Sequence, residues 1–108
     1  MRHPSQIDIR NWGVVAIDGQ PHLVGNPAFG TTRMSTPLIM IEPGTGDLDG
    51  YAESTSGQMY TLVGAHGSRE QVFSHVLSIM GGAIVSHDIE VLDPDDAARA
   101  VRGRGVQP

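Results

Sequence analysis

The pattern of apolar and polar residues in the first third of the chain predicts a β-hairpin followed by a loop. Residues 11–17 are rich in β-branched and aromatic side chains, which favour strands. Residues 18–21 (Asp-Gly-Gln-Pro) have turn chemistry, and residues 22–25 form the return arm. Residues 26–32 follow neither the helical nor the strand period, and Pro27 disfavours helix in the residue before it. This last segment is therefore predicted to be a loop.

Three further stretches predict strands in the middle of the chain. Residues 38–41 (Leu-Ile-Met-Ile) form a short continuous apolar run, which is typical of a strand buried on both faces. Residues 51–55 and 58–63 flank a Ser-Gly pair. Because Gly57 accepts the positive φ that tight turns require, these two stretches predict a second hairpin.

Apolar residues at helical spacing predict an amphipathic helix after residue 67. Ser68 and Gln71 form a capping-box pattern, in which each side chain can bond to the backbone N–H of the other residue. The apolar residues that follow define a wide stripe: Val72, Phe73, Val76, Leu77, Ile79 and Met80. Gly81 and Gly82 are predicted to end the helix.

The last quarter of the chain predicts a strand and a short helix. Residues 83–92 end in clear alternation and are predicted to form one long strand. Residues 93–96 (Asp-Pro-Asp-Asp) are typical of a helix start, because an aspartate can cap it and acids favour the positive end of the helix dipole. We expect this helix to stop at Gly103.

Together these elements predict an α+β fold. We expect a small bent antiparallel sheet or open barrel of about five or six strands, with one amphipathic helix packed on it. Residues 1–108 are long enough for one domain with one core. Residues 1–8 and 103–108 are expected to be flexible ends.

Composition narrows the class of protein. Hydrophobic residues make up 39% of the chain and charged residues 18%, which is too apolar for a disordered chain. The absence of cysteine excludes disulfides, thiolate zinc sites and cysteine nucleophiles. The first residues lack the apolar core of a signal peptide, and no apolar run reaches membrane-spanning length, so we expect a cytoplasmic protein.

The charge disfavours a nucleic-acid-binding core. The formal net charge is -5, and all seven basic residues are arginines. Three of those arginines lie within the last ten residues, so the predicted sheet lacks the basic patch that counterion release requires.

Histidines are the candidates for metal or acid–base chemistry. His66, His75 and His87, with Asp88 beside the last, carry the required side chains, but their spacing matches no compact ligand motif. We therefore expect surface or hydrogen-bonded histidines, no catalytic residue, no metal and no cofactor. The alternative is a metal-dependent or acid–base hydrolase that uses these four residues.

Another group of residues is a candidate contact surface. Acidic residues gather near one hairpin end, where they are interpreted as a solvated rim. Phe29 is the aromatic residue most expected to be exposed, since it lies in the predicted loop, whereas Trp12 and Tyr60 are expected in the core. The predicted contact residues are Phe29, Asp47, Asp49, Tyr51 and Glu53.

Several short motifs follow one another in the first sixty residues. They are Trp12, Leu23-Val24-Gly25, Asn26-Pro27-Ala28-Phe29, Ser35-Thr36-Pro37 and the Ser-Thr-Ser-Gly-Gln-Met-Tyr-Thr-Leu run of residues 54–62. This order resembles a pattern in small uncharacterised β-rich proteins of proteobacteria, phages and mobile elements. The chain departs from it at Asn26, where that family often has His, and in the exchanged Ser and Thr before Pro37.

The resemblance implies a compact β module without a catalytic constellation. Small acidic proteins of mobile elements often act by occluding a host protein's surface. An inhibitor of a host defence system, such as an anti-CRISPR, is one form of such a function, and it is suggested by the lifestyle of these proteins and not by particular residues.

Three functions remain open at this point. We favour a non-enzymatic binding protein with a protein partner and with no nucleic acid or membrane as target. The alternatives are the hydrolase described above and a structural subunit of a homo-oligomer, in which sheet edges would pair between copies.

Overall fold

A computed structural model describes residues 6–28, 30–44 and 48–105, and it confirms the α+β fold with a strongly bent sheet. In these residues six strands form one sheet, and two α-helices pack on it. The strands are β1 (Ile7–Ile17), β2 (Gln20–Pro27), β3 (Arg33–Glu42), β4 (Gly50–Ser54), β5 (Met59–Val63) and β6 (Ile89–Leu92). The helices are α1 (Arg69–Met80) and α2 (Pro94–Gly105), with a 3-10 helix at Gly81–Ser86 between α1 and β6.

Strand β1 organises the sheet because it pairs with three other strands. β2, β3, β4 and β5 follow it as an antiparallel meander, and β2 pairs along one edge of β1. On the other edge, β5 pairs with residues 7–10 and β6 with residues 14–17. The strands from β1 to β5 are thus hydrogen-bonded in a ring. The β1–β5 pairing is parallel, so the expectation of a purely antiparallel sheet is wrong there.

A β-bulge bends β1 where its neighbour changes from β5 to β6. The pairing with β2 shifts register between Arg10 and Gly13, and Asn11 has a φ of 50°. Asparagine tolerates this left-handed conformation better than most residues. Backbone groups at the bulge find partners outside the sheet: the Gly67 N–H donates to the Trp12 carbonyl at 2.7 Å, and His75 Nε2 donates to the Asn11 carbonyl at 3.1 Å.

Both predicted hairpins are present. The first turns at Asp18 and Gly19, with φ values of 52° and 85°, the two positive values of a type I′ turn. The second turns at Gly57, whose φ is 87°. The predicted loop at residues 26–32 begins later than expected, because β2 continues to Pro27.

The two faces of the sheet are buried by different helices. On the inner face, strand residues such as Leu23, Leu38 and Tyr60 form a core with Ala97 and Val101 of α2. On the outer face, Val15 and Val24 pack against Val72 and Val76 of α1. Neighbours in sequence therefore enter opposite cores, as Val14 and Val15 do, and the β1–β2 hairpin is buried on both sides.

Four details differ from the sequence-based expectations. The run at residues 38–41 is not buried on both faces, because Ile39 is 50% exposed at a bulge in β3. The long strand expected at residues 83–92 is a 3-10 helix in its first part and a strand only from Ile89. The second helix extends two residues past Gly103, and β1 includes two residues, 7 and 8, of the N-terminal end expected to be flexible.

Helix α1 begins as predicted, with the capping box of Ser68 and Gln71 formed by both reciprocal bonds. Its apolar stripe is only partly covered. Val72 and Val76 are buried, whereas Phe73, Leu77 and Ile79 remain about two-fifths exposed at 41%, 44% and 39%. The stripe is therefore wider than the contact with the sheet.

Candidate functional site

The candidate site lies on the outer surface of β4 and the adjoining part of β3. Residues alternate along β4, so the burial of Ala52 and Ser54 on the inner side directs Tyr51 and Glu53 outward. Across the strand pair, Glu42 lies opposite Tyr51. Met40 likewise lies opposite Glu53, and Ile39 is exposed at the adjoining bulge of β3. We call this surface, formed by Ile39, Met40, Glu42, Tyr51 and Glu53, the β4 face.

Neither helix shields the β4 face. Helix α2 contacts β3 from the inner side, where it packs with Leu38 and Ile41, and α1 packs on the outer side with Val15, Val24 and Met34. Tyr51 consequently remains 48% exposed, although it stands in the middle of a sheet whose inner face is fully packed. The result is an exposed aromatic ring and an exposed aliphatic side chain with two carboxylates beside them.

The structure brings part of the predicted contact set together. Tyr51 and Glu53 share the β4 face, and Asp49 directly precedes that strand. The Asp49 side chain is turned toward the segment after β5, where its Oδ1 accepts a hydrogen bond from the Gly64 N–H at 3.4 Å. Phe29 and Asp47 lie outside the described residues.

The three candidate histidines take part in separate local interactions. His66 Nδ1 bonds to the Gly67 carbonyl at 2.9 Å, His75 bonds to the β1 bulge, and His87 Nδ1 bonds to Asp18 at 2.6 Å. The described residues contain no group of three or more His, Asp or Glu side chains that could hold a metal ion. His66 and His75 thus bond to backbone carbonyls, and His87 bonds to the Asp18 carboxylate.

A side-chain hydrogen bond that the sequence did not indicate, between Asp18 and His87, closes the tip of the first hairpin. One carboxylate oxygen of Asp18 accepts from His87, and the other accepts from the Asp88 backbone N–H at 2.9 Å. These two bonds lower the pKa of Asp18 below its ordinary value, and the bond from His87 has the larger effect. The pair joins the β1–β2 turn to the start of β6, about seventy residues along the chain.

A cleft at the end of the sheet is the second feature that sequence reasoning missed. Trp12, at the β1 bulge, stacks edge-on against His66, with the ring centroids 5.9 Å apart and the ring planes at 67°. Beside them opens a cavity of about 430 Å³ that Asp49 also lines. No local pattern reveals it, because its walls come from four separate parts of the chain.

Comparison with models of protein families, with curated proteins and with solved structures gives no match. Within the described residues, no helix has the length and apolar character required to cross a membrane.

Proposed function

We propose that the protein is a non-enzymatic binding protein, which occludes the surface of a partner protein by holding it against the β4 face. The observation that carries this proposal is the exposure of Tyr51 and Ile39 on a part of the sheet that neither helix covers. Single exposed apolar residues are ordinary on a protein surface. An aromatic and an aliphatic side chain on one uncovered face supply the apolar centre of an interface.

The charges around this centre indicate the kind of partner. Glu42 and Glu53 place two carboxylates on the β4 face, and the whole chain carries a net charge of -5. Interfaces commonly surround an apolar centre with a polar rim, and complementary charges across the rim speed association. The partner surface is therefore basic, and the association rate falls as ionic strength rises.

The resemblance of the first sixty residues to small proteins of phages and mobile elements supports a more specific form of the proposal. Such a protein would act by blocking a component of a host defence system, of the kind that anti-CRISPR proteins block. Basic surfaces are a general feature of proteins that handle nucleic acid, and an acidic binding face is suited to cover them. Blocking requires binding alone and no catalytic group.

The hydrolase and the homo-oligomer are weaker candidates. The separate hydrogen bonds of His66, His75 and His87 lend the hydrolase no support. A structural subunit would expose sheet edges for pairing between copies, and light scattering in dilute solution distinguishes such an assembly from a monomer.

Affinity capture with matched surface variants tests the proposal. We expect wild-type protein to capture one basic partner from host lysate, and Tyr51→Ala to weaken that complex tenfold or more, as truncation of an interface aromatic does. Val85→Ala is the matched control, since Val85 is 86% exposed but lies on the 3-10 helix and outside the β4 face. If folded Tyr51→Ala captured the partner as well as the wild-type protein does, a role of the β4 face in binding would be contradicted.

A further inference from the structure

The cleft beside Trp12 has the size and lining of a ligand site. Its volume of about 430 Å³ lies within the range typical of small-molecule pockets. Apolar walls alternate with two polar side chains. The residues that matter are Trp12, Pro43, Leu48, Asp49, His66 and Pro94. They come from β1, from the ends of β3 and β4, from the segment before α1 and from the start of α2.

The walls are held in place by hydrogen bonds between these elements. Trp12 Nε1 donates to the Gly64 carbonyl at 3.1 Å, and the Gly67 N–H donates back to the Trp12 carbonyl. The Gly64 N–H in turn donates to Asp49. The segment between β5 and α1 is thus tied to both β1 and the start of β4, so the cleft is formed before any ligand arrives.

The two polar side chains in the cleft, Asp49 and His66, each already make one hydrogen bond to the backbone. Asp49 is a carboxylate, and its bond to Gly64 uses only part of its acceptor capacity. His66 Nδ1 lies 2.9 Å from a carbonyl oxygen, which can only accept, so Nδ1 donates that bond. The free acceptor capacity of Asp49 therefore favours a ligand that brings donors.

We propose that this cleft binds a cationic group with several N–H donors, a guanidinium or an ammonium. The negative charge of Asp49 favours a cation, and a planar guanidinium matches a carboxylate through two parallel hydrogen bonds. The prolines and the largely exposed Leu48 provide apolar surface that packs against an aliphatic stem, and the buried Trp12 borders the cleft from the core. The cation could belong to a free small molecule or to an arginine side chain of a partner protein, and the experiment distinguishes these sources.

Fluorescence of Trp12, the single tryptophan of the chain, reports binding directly. The first probe is butylguanidine, with the neutral isostere butylurea as its control. We expect a saturable change with butylguanidine at about millimolar concentration, as befits so small a ligand, and none with butylurea. The second probe is the peptide acetyl-Gly-Arg-Gly-amide, paired with its citrulline counterpart. Tighter binding of the peptide identifies a partner's side chain as the source, and tighter binding of butylguanidine identifies a small molecule.

Matched variants locate the site. Asp49→Asn keeps an acceptor for Gly64 but removes the charge, and we expect it to weaken butylguanidine binding about tenfold. Glu90→Gln removes an exposed carboxylate that does not line the cleft and should leave binding unchanged. An equal response to butylurea, an unaltered affinity in folded Asp49→Asn, or no saturable change at all would overturn the proposal. Tyr51 does not line this cleft. The capture experiment with Tyr51→Ala therefore tests the proposed function, and the butylguanidine titrations test the cleft separately.

Discussion

The β1–β2 hairpin and the β4–β5 hairpin belong to the same sheet, yet they differ in what covers their outer surface. In β1 and β2, Val15 and Val24 are fully buried beneath α1. In β4, Tyr51 occupies an outward position on the sheet and is half exposed. The inner faces of both hairpins share one core. The outer face is therefore structural in one hairpin and open to solvent in the other.

The side chains at the outward positions account for this difference. In β1 they are Gly13 and Val15, small or apolar residues against which a helix can pack closely. In β4 they are Tyr51 and Glu53, and burying Glu53 under a helix would require a partner for its charge. Residues that are not needed for packing are free to be selected for contact with other molecules.

Charge placed on the outer surface should distinguish the two hairpins most strongly. Val15→Asp puts a carboxylate between β1 and α1 with no partner in the surrounding valine cluster, and we expect a loss of more than about 4 kcal/mol in the free energy of unfolding. Tyr51→Asp places the same charge on the β4 face, in contact with water. We expect a loss of about 1 kcal/mol or less there. Urea denaturation followed by circular dichroism measures both, and equal losses would refute the contrast.

A smaller effect should come from the close approach of α1 to β1. A Cβ at position 13 would overlap Cγ2 of Val72 and lie 2.9 Å from its Cγ1, so Gly13→Ala forces α1 away from the sheet. We expect a loss of about 1–3 kcal/mol from this overpacking. Gly82→Ala, where an added Cβ meets no atom within 4 Å, is the matched control and should change stability by about 0.5 kcal/mol or less. A tolerated Gly13→Ala would mean that α1 packs less tightly than described.

Local chemistry in the sequence was sufficient to predict both hairpins and the start of α1. The Asp18-Gly19 turn, Gly57 and the Ser68–Gln71 capping box each depend on residues close together in the chain. The prediction of one long strand at residues 83–92 was wrong in its first part, because apolar side chains there suit a strand and a 3-10 turn equally well. Local patterns therefore located elements better than they located boundaries.

Features that depend on contacts between distant segments could not be read from the sequence. The parallel β1–β5 pairing joins residues about fifty positions apart, and the partial exposure of the α1 stripe depends on how wide a surface the sheet offers. The cleft at Trp12 and His66 likewise exists only because four segments meet there. Glu53 is predicted from its place among the acids near one hairpin end, and Tyr51 is predicted as one of the few aromatic residues of the chain. The sequence did not indicate that α1 would leave their face uncovered.

The smallest expected effect concerns the tip of the covered hairpin, where Asp18 bonds to His87 and to the Asp88 backbone. Because these bonds lower the pKa of Asp18 in the folded protein, its contribution to stability is fully present above the ordinary aspartate pKa of about 3.8. That contribution is lost as the pH falls through the lowered value. An asparagine at this position has one amide oxygen in place of the two carboxylate oxygens, so Asp18→Asn loses one of the two bonds. We expect its melting temperature to lie below that of the wild-type protein at neutral pH and to approach it in acid.

Melting temperatures measured from about pH 7 down to about pH 2 test this expectation, because the pH must fall through the lowered pKa of Asp18. Glu90→Gln is the control, because Glu90 is an exposed carboxylate of β6 near the same hairpin and makes no ion pair among the described residues. Its difference from wild type should stay small and vary little over this range. A gap between Asp18→Asn and wild type that persists unchanged into acid would show that Asp18 acts through turn geometry alone. In that case the covered hairpin would be held to β6 by its backbone pairing, without help from the charge at its tip.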